Sequence, residues 1–278
     1  MKKPLKLFIF FLVYCILVTT TLTACAFSAD HHGEITIEKL AGITDESASE
    51  IQQAADATRR LFANNTGTLL EKPVNIVLSP DRKSYITETI TRFQISELEA
   101  ERLAKGTDAL SSRNSIIVNM SGLLTPRQKT FLIAHELAHH YQHQLAGNQA
   151  DQVIWLLEGM ADTVGAQVVA EQGYFRLDQY HNNWQSGLRL TTSKPDLRQL
   201  ETRTSWSQSI SQYGFQVTYK TAGLAVLTLT EDFGQRKVLD YFRGLGRGET
   251  PDTAFQKAFG MSITDYESQF TNTLRIAS

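Results

Sequence analysis

Apolar residues recur at helical spacing twice within one stretch of the chain. Phe131, Ala134, Leu137, Ala138, Tyr141 and Leu145 follow one another at three- and four-residue steps, the pattern of a helix with one buried face. Thr125-Pro126 just upstream offers an N-cap and a proline at the first helical position. Residues 153–164 form a second, almost wholly apolar helical segment. Strand-like runs lie earlier: a short one over 35–41, a β-branched one over 74–78 stopped by Ser79-Pro80-Asp81, and a third over 115–120. Between the first two, Asp45 or Ser47 caps a helix that runs to about Phe62 and ends at Asn64-Asn65-Thr66-Gly67. Residues 84–110 are ambiguous, with a helix expected around 95–104. Residues 174–210 are polar and turn-rich, with Trp184 and Trp206; they read as a lid, a cleft wall or packing loops. From Tyr213 the helical pattern returns, over 222–230 and 238–245, then from Thr250-Pro251 to Phe259-Gly260, and from Ser262 to about Leu274. Strands early and helices late make the fold α+β, predominantly helical.

Polar residues interrupt the two central helices at chemically meaningful places. His135 and His139 are four apart, hence on one face, one turn above the other. Two imidazoles so placed can bind one zinc ion, and Glu136 beside the first can reach a water on the metal. A catalytic zinc takes three protein ligands and keeps one open position. Glu158 is the candidate third ligand. Asp162, one turn further on, is the candidate hydrogen-bond acceptor for a ligand histidine. Carboxylates in so apolar a segment are costly unless paired or bound to metal.

The His135-Glu136-Leu137-Ala138-His139 pentad, followed by Glu158-Gly159-Met160-Ala161-Asp162, resembles the gluzincin metallopeptidases. The phrase around Trp155-Leu156-Leu157-Glu158 looks like the small peptidase MA-like domains of bacteria, as does the short-helix tail. The resemblance is strong over about 125–165. It implies a zincin-like fold, in which a small mixed sheet packs on the motif helix and a helical C-terminal part follows. It also implies one Zn2+ per chain held by His135, His139 and Glu158, with Glu136 as general base and Asp162 behind the ligands. Relatives of this fold stabilise the oxyanion with a Tyr or His from the C-terminal half. Tyr219 is the candidate here, with Tyr213 second. In this fold class a strand edge borders the cleft before the motif helix, and 115–120 is either that edge or an ordinary sheet strand. Aminopeptidases of the clan carry a Gly-x-Met-Glu-Asn motif upstream. Ser115-Ile116-Ile117-Val118-Asn119-Met120 has no such Glu, which favours an endopeptidase or oligopeptidase over an exopeptidase.

The other histidines do not extend the ligand set. His143 lies about 12 Å along the helix from His135 at about 1.5 Å per residue, and His140 points about 100° away from His139. Both read as surface or supporting residues. His31 and His32 follow the leader, and His181 falls in the polar loop.

The chain begins with Lys2, Lys3 and Lys6 and then an apolar run, which reads as a targeting leader over 1–24. Leu22-Thr23-Ala24-Cys25 resembles a bacterial lipobox, implying cleavage before Cys25 and a diacylglycerol on its thiol; the other reading is an uncleaved anchor helix. Residues 25–33 are then the lipidated Cys and a short tether, and 34–278 one domain, with motif helices over about 125–172 and a helical C-terminal part over about 211–275. By the same resemblance the protein faces the bacterial cell envelope, held by the membrane through Cys25. Where there is an outer membrane, it sits on the periplasmic face. The only cysteines are Cys15 and Cys25, so no disulfide or thiol nucleophile is expected in the domain. The chain carries 27 basic and 29 acidic side chains and no basic block, which excludes nucleic acid as an expected partner. The expected partner is a peptide or protein substrate. The alternative is a catalytically silent zinc-binding lipoprotein that serves as an assembly module.

Overall fold

A computed structural model describes residues 33–112, 114–123 and 125–276. The leader, Cys25, most of the tether, His31 and His32 lie outside the described residues. The expected α+β, predominantly helical class is what the structure shows. Strand β1 is Ile35–Lys39, and helix α1, Asp45–Thr66, follows it. Then come β2, Val74–Ser79; α2, Arg82–Phe93; and α3, Glu97–Ala104. The short β3, Ala109–Ser111, and β4, Ser115–Asn119, complete a sheet of order β1-β2-β4-β3. β1, β2 and β4 are parallel, and β3 pairs antiparallel with β4.

Alternation along the strands sorts side chains to two faces. Ile76, Leu78, Ile116 and Val118 enter the main core, whereas Ile117 joins Tyr85 and Ala104 in a second, smaller cluster. α1 packs on β1 and α2 on β2 and β4. Because both faces are covered, β4 reads Ile-Ile-Val with no polar alternation.

The motif helix α4 is Pro126–Ala146. Thr125 caps it as expected, in a reciprocal box with Gln128. α5, Ile154–Glu171, lies along α4 and is almost wholly buried. α6, Leu177–Leu190, and α7, Arg203–Tyr213, occupy the segment expected to be turn-rich. Only Trp184 and Leu188 of α6 are buried, a stripe too narrow to show against a polar helix. The C-terminal part is helical as expected: α8, Phe215–Phe233; α9, Gln235–Gly246; α10, Pro251–Phe259; and α11, Ile263–Ile276. α8 crosses α5 closely: a Cβ on Gly159 would stand 2.3 Å from the Ala222 carbonyl oxygen. Only glycine permits that approach.

Several boundaries differ from expectation. Thr44, not Asp45 or Ser47, caps α1, its hydroxyl accepting from the Ser47 amide at 3.1 Å. α1 also runs through Asn64-Asn65 to a left-handed Gly67, because the buried Thr66 hydroxyl donates back to the Phe62 carbonyl. The Ser79-Pro80-Asp81 stop is equally a start, since the Asp81 side chain caps α2. β4 lies inside the sheet, whose edge strands are β1 and β3. Among the described residues no helix is long and apolar enough to cross a membrane.

Candidate metal centre

α4 brings His135 and His139 to one face, where α5 meets them with Glu158. The two Nε2 atoms are 3.2 Å apart. Glu158 Oε2 lies 3.6 Å from His135 Nε2 and 3.7 Å from His139 Nε2. Three ligands on a tetrahedral ion at bonds of about 2.1 Å stand about 3.4 Å from one another. The three atoms therefore already have the spacing a small divalent ion requires, and this group could hold a metal. The donor set, two imidazoles and one carboxylate, would leave a fourth tetrahedral position open.

The hydrogen bonds behind the ligands fix both tautomers. His135 Nδ1 donates to Asp162 Oδ1 at 2.9 Å, as the spacing of Glu158 and Asp162 suggested. His139 Nδ1 donates to Gln142 Oε1 at 2.8 Å. The Gln142 amide is oriented by its own Nε2, which donates to the Leu157 carbonyl at 2.8 Å. In the neutral tautomers so set, each imidazole turns an Nε2 lone pair to the same point. Gln142 went unnoticed in the sequence. The available signal was a glutamine three residues after a candidate ligand, on the same face of the same helix.

Charge at the site follows from burial. Burial favours neutral His135, but the hydrogen-bonded Asp162 and Glu158 carboxylates overturn this and hold it well above the usual histidine range. His139 is lowered by burial, with His135 adding to the effect. Burial would raise Glu158, yet His135, His139 and Arg203 outweigh it and bring it to about 2. Asp162 is raised by burial, against the pull of His135. Without a metal, the centre holds an ionised Glu158 beside a protonated His135.

The centre opens into a cleft of about 560 Å³. Glu136 is buried at its wall and accepts a hydrogen bond from the Ser111 hydroxyl of β3. β3 is the cleft-side edge of the sheet. Asp108 and Ser112 bond to β4 through the Asn119 amide and the Ser115 carbonyl. By antiparallel alternation, Ala109 and Ser111 turn their N–H and C=O groups to the other side, where no strand of the described residues pairs. Tyr219 faces the centre from the second turn of α8. Its ring centroid is 6.4 Å from that of His135, and it is stacked on Phe215 at 4.1 Å. Burial, with Glu158 and Asp162 nearby, raises the phenol well above its usual value, so it stays protonated. Tyr213 is elsewhere, bonded to Gln199 at 3.5 Å. Arg203 opens α7 at the cleft, with a guanidinium nitrogen 3.8 Å from Glu158 Oε1. Ser111 and Arg203 carried no motif signal.

His140 is buried at the cleft wall rather than on the surface, and its Nε2 has no partner among the described residues. His143 is exposed there, its Nδ1 donating to the Gly147 carbonyl at 3.2 Å. His181 is in α6, not a loop, and pairs with Glu231 of α8 at 2.9 Å.

No protein-family model matches this chain, and no curated protein matches it in sequence.

Proposed function

We propose that this chain is a zinc-dependent peptidase of the gluzincin type, cleaving peptide bonds in the bacterial cell envelope as an endopeptidase. One observation carries the reading: two imidazole nitrogens and a carboxylate oxygen converge at metal spacing in an open cleft, with a further carboxylate, Glu136, at its wall.

Zinc held by His135, His139 and Glu158 would acidify a water and polarise the scissile carbonyl. Glu136 is the general base: it takes a proton from the attacking water and passes it to the leaving amine. The Ser111 hydroxyl holds one Glu136 oxygen and leaves the other for this transfer. Tyr219, kept protonated by its surroundings, donates to the developing oxyanion. An extended substrate adds to the free side of β3 through the main chain of Ala109 and Ser111. Main-chain bonding of this kind suits an endopeptidase with broad sequence tolerance. Leu22-Thr23-Ala24-Cys25 supports lipid attachment at Cys25, which would hold the domain at the membrane by its N-terminal side.

The test is metal content and cleavage of a quenched peptide library by the leaderless protein, beside Glu136→Gln. The expected result is one zinc in each and cleavage by the wild type alone. Protein that takes up no zinc, or zinc-loaded wild type that cleaves nothing, would overturn the reading.

A further inference from the structure

The cleft continues past the metal centre along the C-terminal half of α4, and that end has a different character. The loop before β2 is fastened there by one side chain: Gln144 Nε2 donates to the Leu69 carbonyl and Gln144 Oε1 accepts from the Glu71 amide, both at 2.8 Å. Lys72 is thereby set beside Gln144, one helical turn beyond His140. Lys72 is exposed in the cleft and has no hydrogen bond or ion pair among the described residues. His140 Nε2 is buried without a partner, and His143, Asn114 and Asn148 complete this end. Every carboxylate among the described lining residues, Glu136 and Glu158, belongs to the metal centre. The far end thus offers an unneutralised cation and several hydrogen-bond donors, with no acid of its own.

We propose that this end of the cleft is a subsite for a substrate carboxylate, bound by Lys72 with His140, His143 and the two asparagine amides. The inference rests on the peptidase reading for the nature of the ligand. Gln144 lies about 7.5 Å beyond His139 along α4 at about 1.5 Å per residue. An extended peptide advances about 3.3 Å per residue. The carboxylate accordingly sits about two residues from the scissile bond. It comes from an Asp or Glu side chain, in keeping with internal cleavage, or from the peptide's own C-terminus, in which case C-terminal dipeptides would be released instead; both present the same group to a lysine.

Binding separates this claim from turnover. Zinc-loaded Glu136→Gln protein is titrated, by fluorescence anisotropy, with labelled peptides placing Glu or Gln two residues to either side of the central bond. A second pair ends in a free carboxylate or an amide at the same distances. The carboxylate-bearing member of one pair should bind about tenfold tighter, as a charge-assisted hydrogen bond warrants. Lys72→Ala should erase the difference, and Lys72→Glu should turn the preference to a Lys-bearing peptide. Lys72 is a loop residue on the surface, so neither change threatens the fold. The first pair responding identifies an acidic side chain, and the second identifies a terminal carboxylate. Equal affinities within every pair, absence of binding by any peptide, or a preference untouched by Lys72→Glu would overturn the subsite. A charge preference with wild-type protein that cleaves nothing would instead retain the subsite and sink the peptidase.

Discussion

Gln142→Leu tests the most specific structural claim about the metal centre. Gln142 is fully buried and makes two hydrogen bonds of 2.8 Å, accepting from His139 Nδ1 and donating to the Leu157 carbonyl. Leucine has nearly the same volume and neither polar atom. The His139 Nδ1–H then has no acceptor, and the imidazole is free to move its proton to Nε2, the atom that faces Glu158. Metal binding must first reverse that shift. Loss of such a supporting partner costs about 10–100-fold in metal affinity, which is about 1.4–2.7 kcal/mol. The Leu157 carbonyl keeps its bond within α5 and loses only a second donor, so the change in apo stability comes mainly from the unpaired His139 Nδ1–H, at about 1–3 kcal/mol, partly offset by the added apolar burial. The two effects are read separately. Competition against a chromophoric chelator gives zinc affinity in the folded protein, and urea melts of apo protein give stability. Asp162→Asn, which weakens the equivalent support on His135, is measured alongside. Zinc affinity within a factor of about two of wild type, in a Gln142→Leu protein that still melts cooperatively, would refute the tautomer argument.

Three further outcomes follow from the packing and charge. Tyr219→Phe should lower kcat by about 10²–10³, the cost of one oxyanion donor, and leave zinc affinity unchanged; an unaltered kcat would remove Tyr219 from the reaction. Gly159→Ala would put a Cβ 2.3 Å from the Ala222 carbonyl. It should cost about 1–3 kcal/mol of stability, a Tm drop of roughly 2–12 °C at about 2–4 °C per kcal/mol; an unshifted Tm would mean that α5 and α8 do not cross so closely. Burial, joined by the neighbouring Glu201, pushes Glu267 up to about 8. A carboxyl raised in the fold binds more protons folded than unfolded, so its effect on stability is lost as pH rises from the unfolded value near 4.5 through 8. Glu267→Gln should therefore be less sensitive than wild type to a rise across that window, and parallel curves in pH-dependent urea melts would count against the assignment.

The candidate ligands were legible because they are local: His135, His139 and Glu158, with Asp162 behind them, lie on two helices whose apolar periodicity announces them. The strands of 74–78 and 115–120 were legible for the same reason. What escaped depends on partners distant in sequence. β3 is three residues long and exists only through its pairing with β4. The amphipathic stripe of α6 becomes visible only once α8 covers it, since Trp184 and Leu188 are its sole buried residues. Ser111 matters because β3 lies against α4, and His140 is buried because the cleft wall closes over a helix face that looks polar in the sequence. Lipid attachment at Cys25 and the envelope setting remain readings of the sequence alone.

α4 and α5 bury charge where a purely structural core would bury methyl groups. His135, Glu136, Glu158 and Asp162 are each less than a tenth exposed, and replacing such groups with packed apolar residues is often neutral or stabilising. Their retention needs a return, and the directions of their hydrogen bonds indicate one. Without metal, His135 carries a second proton on Nε2, which faces Glu158 and the His139 Nε2. Both Nδ1 protons are committed outward, to Asp162 and Gln142, so loss of that one Nε2 proton leaves two nitrogen lone pairs and an ionised carboxylate oxygen within 3.7 Å of one another. Convergent electron density of this kind is favourable only around a cation, and the His135 proton fills that place in the metal-free state. A divalent ion would release that proton on binding and satisfy all three atoms at once, which a purely structural network at this position would not require.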